Sequence, residues 1–348
     1  MRALKACLGI NIKERKKYMN IKKILSGIMA ALLCVCTLVF ASCAENQLYS
    51  EGEGEINVVC TTFIPFDFAR VVGGEDITVT ILQDSGADLH NYSPTTATVS
   101  ALAVADIFIY IGGESDENWV DDAIKSANND DLITVCLMDS IAEPLHAELE
   151  NDWDSHEHDE DAHEHEGEDE HEHHADEHIW TSLKNACDMV GAIKDALCEK
   201  APELSDSFSQ RAQAYIGELL ALNTEYAEAV SAARIDKVVV ADRFPFVYMF
   251  HDYNIAYIAA FSGCSTEVNA SFETQVSLIN AAKDTGAKYI LTIEGNDKSL
   301  AEAVAKESGC EIRSLNSLQS VKRSDITSGI SYLEVMKDNL KVLKEALE

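Results

Sequence analysis

The sequence predicts an α/β protein in which two parallel-sheet lobes are joined by one long helix. Short apolar runs of strand length alternate with helical segments over residues 56–137, and the same alternation returns over residues 237–346. The helical pattern between them covers about thirty residues, longer than a crossover within one sheet requires. The chain of 348 residues, 47% of them hydrophobic, is long enough for two such lobes.

In the first half, four apolar runs predict buried strands, and helical segments separate them. Ser93 and Pro94 provide a helix cap followed by proline at the first helical position. This alternation is typical of βαβ units and places a first lobe at residues 56–202. The predicted strands are Ile56–Thr61, Ile77–Leu82, Ile107–Ile111 and Ile133–Leu137, and the predicted helices begin at Pro65, Thr95 and Trp119.

The linking helix is predicted over residues 203–235, after a helix from Ser182 to Glu199 that Pro202 interrupts. Six apolar residues recur at three- and four-residue intervals along it: Phe208, Ala212, Tyr215, Leu219, Leu222 and Tyr226. A second lobe follows at residues 236–348. Its predicted strands are Lys237–Val240, Tyr257–Ala260, Tyr289–Ile293 and Glu311–Leu315, and its predicted helices are Pro245–Tyr253, Ser271–Thr285, Ser299–Ser308 and Ile326–Ala346.

The N-terminal 43 residues are predicted to be a targeting segment. Two lysines precede an apolar run from Ile24 to Phe40, and Ala41 and Ser42 lead to Cys43. This pattern resembles the lipobox of bacterial lipoproteins, which implies lipidation of Cys43, anchoring at the extracytoplasmic face of the cell membrane, and a flexible tether over residues 44–55. The alternative is a single membrane-spanning helix. Met19 is a second candidate start, because it gives the segment ordinary signal-peptide proportions.

The charge of the chain excludes some partners and leaves others open. With 60 acidic against 27 basic residues, the formal net charge is −33, which argues against nucleic acid as a partner. The sequence contains no G-x-x-x-x-G-K-[ST] motif, so it is not predicted to be an ATPase. No C-x-x-C pair is present to indicate a zinc knuckle. Cys264 and Cys310 remain a candidate disulfide pair.

An acidic, histidine-rich insertion covers residues 143–177. Together with His178 it holds nine of the eleven histidines and no lysine or arginine. Its like charges and lack of apolar residues predict a mobile segment, and its imidazoles and carboxylates suit divalent transition metals. A solvated acidic linker is the alternative. We expect weak auxiliary metal sites at His156, His158, His163, His165, His171, His173 and His174.

Four further candidate ligands follow strands or end the insertion. His90 follows the second strand, His178 follows the insertion, and Asp242 and Glu294 follow strands of the second half. Ligands of open parallel sheets bind beyond the carboxyl ends of the strands, and imidazole and carboxylate suit zinc or manganese. Each residue also has an ordinary structural interpretation, such as an Asp242–Arg243 ion pair, but together they predict a metal site.

At these residues the chain resembles the zinc- and manganese-type substrate-binding lipoproteins of bacterial ABC transporters. The resemblance covers residues 56–348 and rests on GADLHNYSPTTATVSALAVADIFIYIGG, the insertion ending in HIWTSLKNA, and the long helix. It implies two α/β lobes with the metal held between them by His90, His178 and Glu294. It also implies a monomeric, non-enzymatic protein that delivers zinc, or alternatively manganese, to a membrane permease driven by a separate ATPase.

One ligand of the family is missing from the pattern. Where the family keeps histidine or glutamate, this chain has Ala241, so Asp242, Glu267, water or an insertion histidine would complete the site. His251 is expected to be a surface histidine. Two other functions remain as alternatives: a surface protein that only buffers metal, and a zinc hydrolase, although no H-E-x-x-H helix is present.

Overall fold

The structure, a computed structural model, describes residues 48–83, 86–87, 90, 92–145, 175–235, 237–263 and 270–348. Residues 48–348 form one compact unit that contains two separate sheets. We call the part around the sheet of residues 49–136 the first lobe, and the part around the sheet of residues 237–315 the second lobe. Both lobes are α/β and both sheets are mainly parallel, as the sequence predicts.

The first sheet has the strand order β1-β3-β2-β4-β5. Its strands are β1 (Tyr49–Glu51), β2 (Ile56–Cys60), β3 (Ile77–Ile81), β4 (Ile107–Tyr110) and β5 (Ile133–Cys136). Its helices are α1 (Phe63–Gly73), α2 (Thr96–Leu102), α3 (Glu114–Glu117) and α4 (Val120–Ala127). Thr95 caps α2 through a capping box with Thr98. The helices cover the sheet, which buries the apolar runs from which the strands were predicted.

The edge strand β1 corrects the prediction of a flexible tether at residues 44–55. Tyr49–Glu51 pairs antiparallel with Val79–Ile81 of β3, and the hydroxyls of Ser50 and Thr80 are 2.8 Å apart. Arg70 of α1 forms an ion pair with Glu51. The first sheet is therefore mixed rather than wholly parallel, and its edge is covered by residues that the sequence predicted to be unstructured.

Two helices follow the insertion and connect the lobes. They are α5 (Leu183–Lys200) and α6 (Ser205–Ser231), separated by a short turn that begins at Pro202. Helix α6 has 27 residues and is about 40 Å long. All six apolar residues predicted to line one face of this helix are buried. The largest apolar cluster contains residues of both lobes and of α5 and α6, so the helices share their core with the sheets.

The second sheet is wholly parallel, with the strand order β7-β6-β8-β9. Its strands are β6 (Lys237–Phe244), β7 (Ala256–Ser262), β8 (Tyr289–Ile293) and β9 (Glu311–Leu315), and its helices are α7 (Val247–Tyr253), α8 (Phe272–Thr285), α9 (Ser299–Ser308), α10 (Arg323–Thr327) and α11 (Tyr332–Ala346). The single helix predicted over residues 326–346 is therefore two. Gly329 separates them with a φ of 87°, and the Ser331 side chain caps α11 by accepting from the Glu334 amide.

The structure describes only part of the predicted Cys264–Cys310 pair and none of the predicted N-terminal targeting segment. Cys310 is a free thiol whose Sγ lies 3.1 Å from the Ala287 carbonyl oxygen, whereas its proposed partner Cys264 lies outside the described residues. Cys43 and the segment before it also lie outside them. Within the part of the chain that the structure describes, no helix is both long and apolar enough to cross a membrane.

Candidate metal centre

His90 and His178 lie side by side although 88 positions separate them in the chain. His90 follows β3, and His178 directly precedes a short turn, Ile179–Thr181, that leads into α5. Their ring centroids are 5.5 Å apart. Together with Glu177 they form the one group of three histidine, cysteine or acidic residues, among those the structure describes, whose ligand atoms all lie within 4.8 Å of one another.

His178 is held by the carboxylate of Asp176. Oδ1 of Asp176 accepts from the His178 amide at 2.9 Å and lies 2.8 Å from Nδ1 of the ring. Both residues are buried. When Nδ1 donates to this carboxylate, the neutral imidazole has its lone pair on Nε2. A carboxylate behind an imidazole is the usual arrangement around a metal-binding histidine, because it fixes the ring and its tautomer.

His90 is held in the same way by Glu177. Its Nδ1 lies 2.8 Å from Oε1 of Glu177 and 3.0 Å from Oγ of Ser115. Ser115 also donates to the Glu177 carboxylate from its amide at 2.9 Å and from its hydroxyl at 2.6 Å. Burial raises the pKa of Glu177, but the hydrogen bond with His90 and the charges of both histidines outweigh it and bring the pKa to about 2. Glu177 is therefore an anion that orients His90.

The Nε2 atoms of the two histidines face one side chain of the second lobe, Gln319. Nε2 of Gln319 makes a short contact with Nε2 of His178 and lies 3.3 Å from Nε2 of His90. Gln319 is buried in the loop after β9, where Gln83 donates to its carbonyl oxygen at 2.8 Å. Half a turn of the terminal torsion exchanges amide nitrogen for oxygen. The same side chain could thus donate to two imidazoles or present an oxygen to a cation.

Glu294 lies outside the His90–Glu177–His178 group. It follows β8, and its two carboxylate oxygens accept from the amide and the hydroxyl of Ser317, each at 2.7 Å. The Ser317 hydroxyl is 3.2 Å from Oε1 of Gln319. Burial raises the pKa of Glu294, against the lowering effect of the Ser317 hydrogen bonds. The structure therefore connects Glu294 to the histidines through Ser317 and Gln319.

Asp242 also lies outside this group and holds the ends of two strands together. One oxygen accepts from the Ile293 amide at 3.0 Å, and the other accepts from the Arg243 amide and the Asn296 side chain, each at 2.8 Å. A register shift between Val240 and Arg243 accompanies this arrangement. The contact with Arg243 that these distances record is made by its backbone amide, which differs from the side-chain pairing considered from the sequence.

Ala241 does not point toward the histidines. It is buried in an apolar cluster with Val239, Ala260, Leu278 and Ile290. A histidine at this position would place a polar ring in that cluster. The strand presents this side chain to the helices that cover the sheet, so we do not expect a ligand placed at position 241 to reach the histidines.

Other predicted residues fall elsewhere. His251 is exposed on α7, which confirms its interpretation as a surface histidine. Glu267 and the insertion histidines His156, His158, His163, His165, His171, His173 and His174 lie outside the described residues. The predicted insertion, by contrast, ends too late, because Asp176 and Glu177 are buried and fixed.

Asp176, Glu177 and Gln319 are not among the site residues predicted from the sequence. The two acids are the last of an acidic run, so nothing in composition separates them from their neighbours. Their position beside His178 is the signal that could have identified them, because a ligand histidine needs an acceptor for its second nitrogen. Gln319 gives a weaker signal, its place after the last strand of the second sheet.

Fold and site together define a two-lobed α/β protein with a pair of carboxylate-held histidines where the lobes meet. Comparison with known sequences extends this description. The chain belongs to the family described as the periplasmic component A of the zinc-uptake complex, ZnuA, which matches residues 58–346.

Individual relatives agree with this assignment. The zinc-binding lipoprotein AdcA of Streptococcus pneumoniae TIGR4 is 30% identical over 322 residues, which are 92% of this chain and 61% of AdcA. The high-affinity zinc uptake system protein ZnuA of Bacillus subtilis 168 is 27% identical over 91% of this chain and 96% of its own length. The chain thus spans less than two thirds of AdcA but nearly all of the Bacillus protein.

A solved structure gives the same picture for the fold. The crystal structure of the Zn(II)-bound ZnuA-like domain of Streptococcus pneumoniae AdcA superposes with a TM-score of 0.66 at 27% sequence identity. The superposition covers 84% of this chain and 99% of that domain. The two-lobed architecture is therefore shared along almost the whole of that domain.

Proposed function

We propose that this protein captures a divalent transition metal, zinc, outside the cytoplasmic membrane and delivers it to an ABC permease for uptake. The observation that supports the proposal best is the convergence of the two histidines. Each ring has its Nδ1 held by a carboxylate, and both Nε2 atoms are directed at Gln319. Two fixed imidazole lone pairs that share one target are suited to a zinc ion.

The ion would lie against Nε2 of His90 and Nε2 of His178, with the second lobe supplying the remaining ligands. Gln319 is the nearest candidate, through its amide oxygen, and Glu294 is the carboxylate candidate. Asp242, the other carboxylate predicted from the sequence, would bind the ion only by giving up hydrogen bonds that it accepts in this structure. Imidazole favours zinc over manganese, which prefers oxygen ligands. Zinc is here the cargo, and the protein performs no catalysis on it.

The remaining parts of the proposal concern placement in the cell. Lipidation of Cys43 would hold a monomeric protein at the extracytoplasmic face of the membrane, next to a permease whose ATPase is a separate chain. Residues 146–174 of the insertion would collect zinc weakly and raise its concentration near the histidines. The names of the zinc-binding relatives support this role for the chain.

Zinc titration calorimetry of two variants tests the proposal. One lacks residues 155–173, which spares Asp176 and so keeps the acceptor of His178. The other adds His90→Ala and His178→Ala to that deletion. We expect one tight zinc equivalent in the first variant and none in the second. Equal binding by both variants would reject the site, and loss of all tight binding on deletion of the insertion would favour a metal buffer.

A further inference from the structure

The two ends of the insertion meet at one hydroxyl of the second lobe, that of Tyr248 on α7. Tyr248 donates to the Asp176 carbonyl oxygen at 2.8 Å and lies 3.0 Å from the Leu145 amide, which donates to it. The Asp176 amide in turn donates to the Leu145 carbonyl oxygen at 2.7 Å. Three hydrogen bonds thus form a closed ring among Leu145 near the start of the insertion, Asp176 near its end, and Tyr248 of the second lobe.

We infer that Tyr248 is a positioning residue for the metal centre, because it fixes the segment that carries His178 against the second lobe. This inference rests on the proposed function of the histidines. Asp176 is the connecting residue: its carbonyl oxygen accepts from Tyr248, and its carboxylate accepts from the amide and the ring of His178. A displacement of the Asp176 backbone therefore displaces the group that orients the imidazole.

The hydrogen bonds of Tyr248 are shielded from water. Tyr248 and Asp176 are 3% and 2% exposed, so water has little access to replace the hydrogen bonds. Burial, with a smaller contribution from the charge of Asp176, raises the pKa of Tyr248 to about 12, although the hydrogen bond from the Leu145 amide lowers it. The hydroxyl stays neutral and can donate to one carbonyl while accepting from one amide.

A second contact places His178 against the same lobe. A Cβ added at Gly263, at the end of β7, would lie 3.1 Å from Cε1 of His178 and 3.0 Å from the Phe244 carbonyl oxygen. The ring of His178 is therefore packed closely against the β6 and β7 ends. Tyr248 fixes the backbone of the segment, and Gly263 leaves room for its ring.

The chain offers a matched control on the same helix. Tyr253 donates from its hydroxyl to Oδ1 of Asn223 at 2.8 Å, and Asn223 belongs to α6, away from the insertion ends. Tyr248→Phe and Tyr253→Phe each remove one hydroxyl from α7 and leave the ring. A general loss of stability would follow either change. Of the two hydroxyls, that of Tyr248 is the one hydrogen-bonded to Asp176 in the segment that carries His178.

The experiment compares both variants with the wild type as full-length chains. Amide hydrogen exchange of residues 175–182 is measured without metal, and zinc affinity is measured by competition with a chelator. We expect Tyr248→Phe to speed exchange in this segment and to weaken zinc binding about tenfold, the lower end of the effect of losing a group behind a ligand. Tyr253→Phe should leave both quantities at wild-type values.

Two results would overturn the inference: unchanged exchange in Tyr248→Phe, or faster exchange with wild-type zinc affinity. Equal effects of Tyr248→Phe and Tyr253→Phe would likewise reduce Tyr248 to a stabilising residue. If tight zinc binding does not depend on His178, the proposed function is overturned instead. The exchange comparison would still decide whether Tyr248 fixes the segment.

Discussion

Two glutamates, the buried Glu177 in the first lobe and the partly buried Glu294 in the second, have pKa values shifted in opposite directions. Burial raises the pKa of Glu177, but its hydrogen bond with His90 and the charges of the two histidines bring the pKa to about 2. Burial raises the pKa of Glu294, and the hydrogen bonds that it accepts from neutral groups, those of Ser317 first among them, do not outweigh burial. Burial opposes ionisation in both, so the partners decide the direction of the shift: imidazoles at Glu177, and neutral hydrogen-bond donors at Glu294. The first lobe uses its carboxylates to orient imidazoles, and the second lobe uses Glu294 and Asp242 to hold backbone amides.

This difference shows what strand ends do and do not predict. All four candidate ligands from the sequence lie in loops or strand ends, where parallel sheets expose functional groups. Only two of them, His90 and His178, are in the group whose ligand atoms converge. A carboxylate at a strand end has two competing uses, and the sequence does not reveal which amides will lie within reach of it.

The largest expected effect is on zinc affinity, and it tests whether the first lobe supplies metal ligands through His90 and His178. In the chain lacking residues 155–173, His90→Ala and His178→Ala should each weaken zinc binding by more than about a hundredfold, because loss of a ligand exceeds the roughly 10- to 100-fold cost of losing a group behind it. His251→Ala, at an exposed position on α7, is the control and should bind as the parent does. Chelator competition measures all three. Parental affinity in either ligand variant would remove the first lobe from the site.

The parts of the fold that sequence analysis predicted share one physical signal, a periodic apolar pattern. The buried face of α6 and the eight main strands have such a pattern. Strand β1 has only three residues, too few to show one, and α10 is separated from α11 by a turn at Gly329 that the helical periodicity did not reveal. The pattern detects buried faces that extend over several residues, and it does not reveal a strand of three residues or a turn that divides a helix.

The residues of the candidate site were likewise predicted only in part. His90 was recognised because it stands apart from the other histidines, after a predicted strand, and His178 because it is the last histidine of the insertion. Asp176 and Glu177 were hidden in an acidic run, and Gln319 carries neither charge nor a strong preference for metal. The loop after β9 comes near the histidines only through the tertiary fold, for example through the 2.8 Å hydrogen bond from the Trp180 ring to the Ser317 carbonyl oxygen.

The second effect is on stability in acid. The pKa of Glu177 falls from an ordinary 4.5 to about 2 on folding, so its ionisation stabilises the fold above pH 4.5 and this contribution is lost as the pH falls toward 2. The full contribution is about 3 kcal/mol. Glu177→Gln should remove this part of the pH dependence in metal-free protein. Urea unfolding at several pH values measures it.

The matched variant for the acid experiment is Glu294→Gln. The raised pKa of Glu294 means that folding favours its protonated form, so any contribution it makes is lost as the pH rises. Glu294→Gln should therefore not reduce the loss of stability in acid. A parallel response of the two variants would contradict the difference between the lobes.

The third effect is on the free energy of unfolding, through the hydrogen bonds that the second-lobe carboxylate Asp242 accepts. Asp242→Asn exchanges an acceptor of three hydrogen bonds for an amide that matches fewer of them, and should reduce the free energy of unfolding by about 1–3 kcal/mol. Zinc affinity should change little. Thermal unfolding and zinc titration on the same samples separate the two quantities. If Asp242→Asn weakened zinc binding as strongly as His178→Ala does, Asp242 would be a ligand after all.

The smallest effect tests whether the second lobe reaches the metal through Gln319. If its amide oxygen turns toward zinc, Gln319→Glu places a full negative charge there. A unit charge pair about 4 Å apart contributes roughly 1–4 kcal/mol between water and a protein surface, so we expect zinc binding to tighten by about tenfold. Gln319→Ala should weaken it, because both Nε2 atoms then lose their shared neighbour. If Gln319→Ala binds more tightly than the parent, the amide competes with zinc for the histidines. If neither change alters affinity while Glu294→Gln does, the second-lobe ligand is Glu294, and the difference between the two glutamates is one of acidity alone.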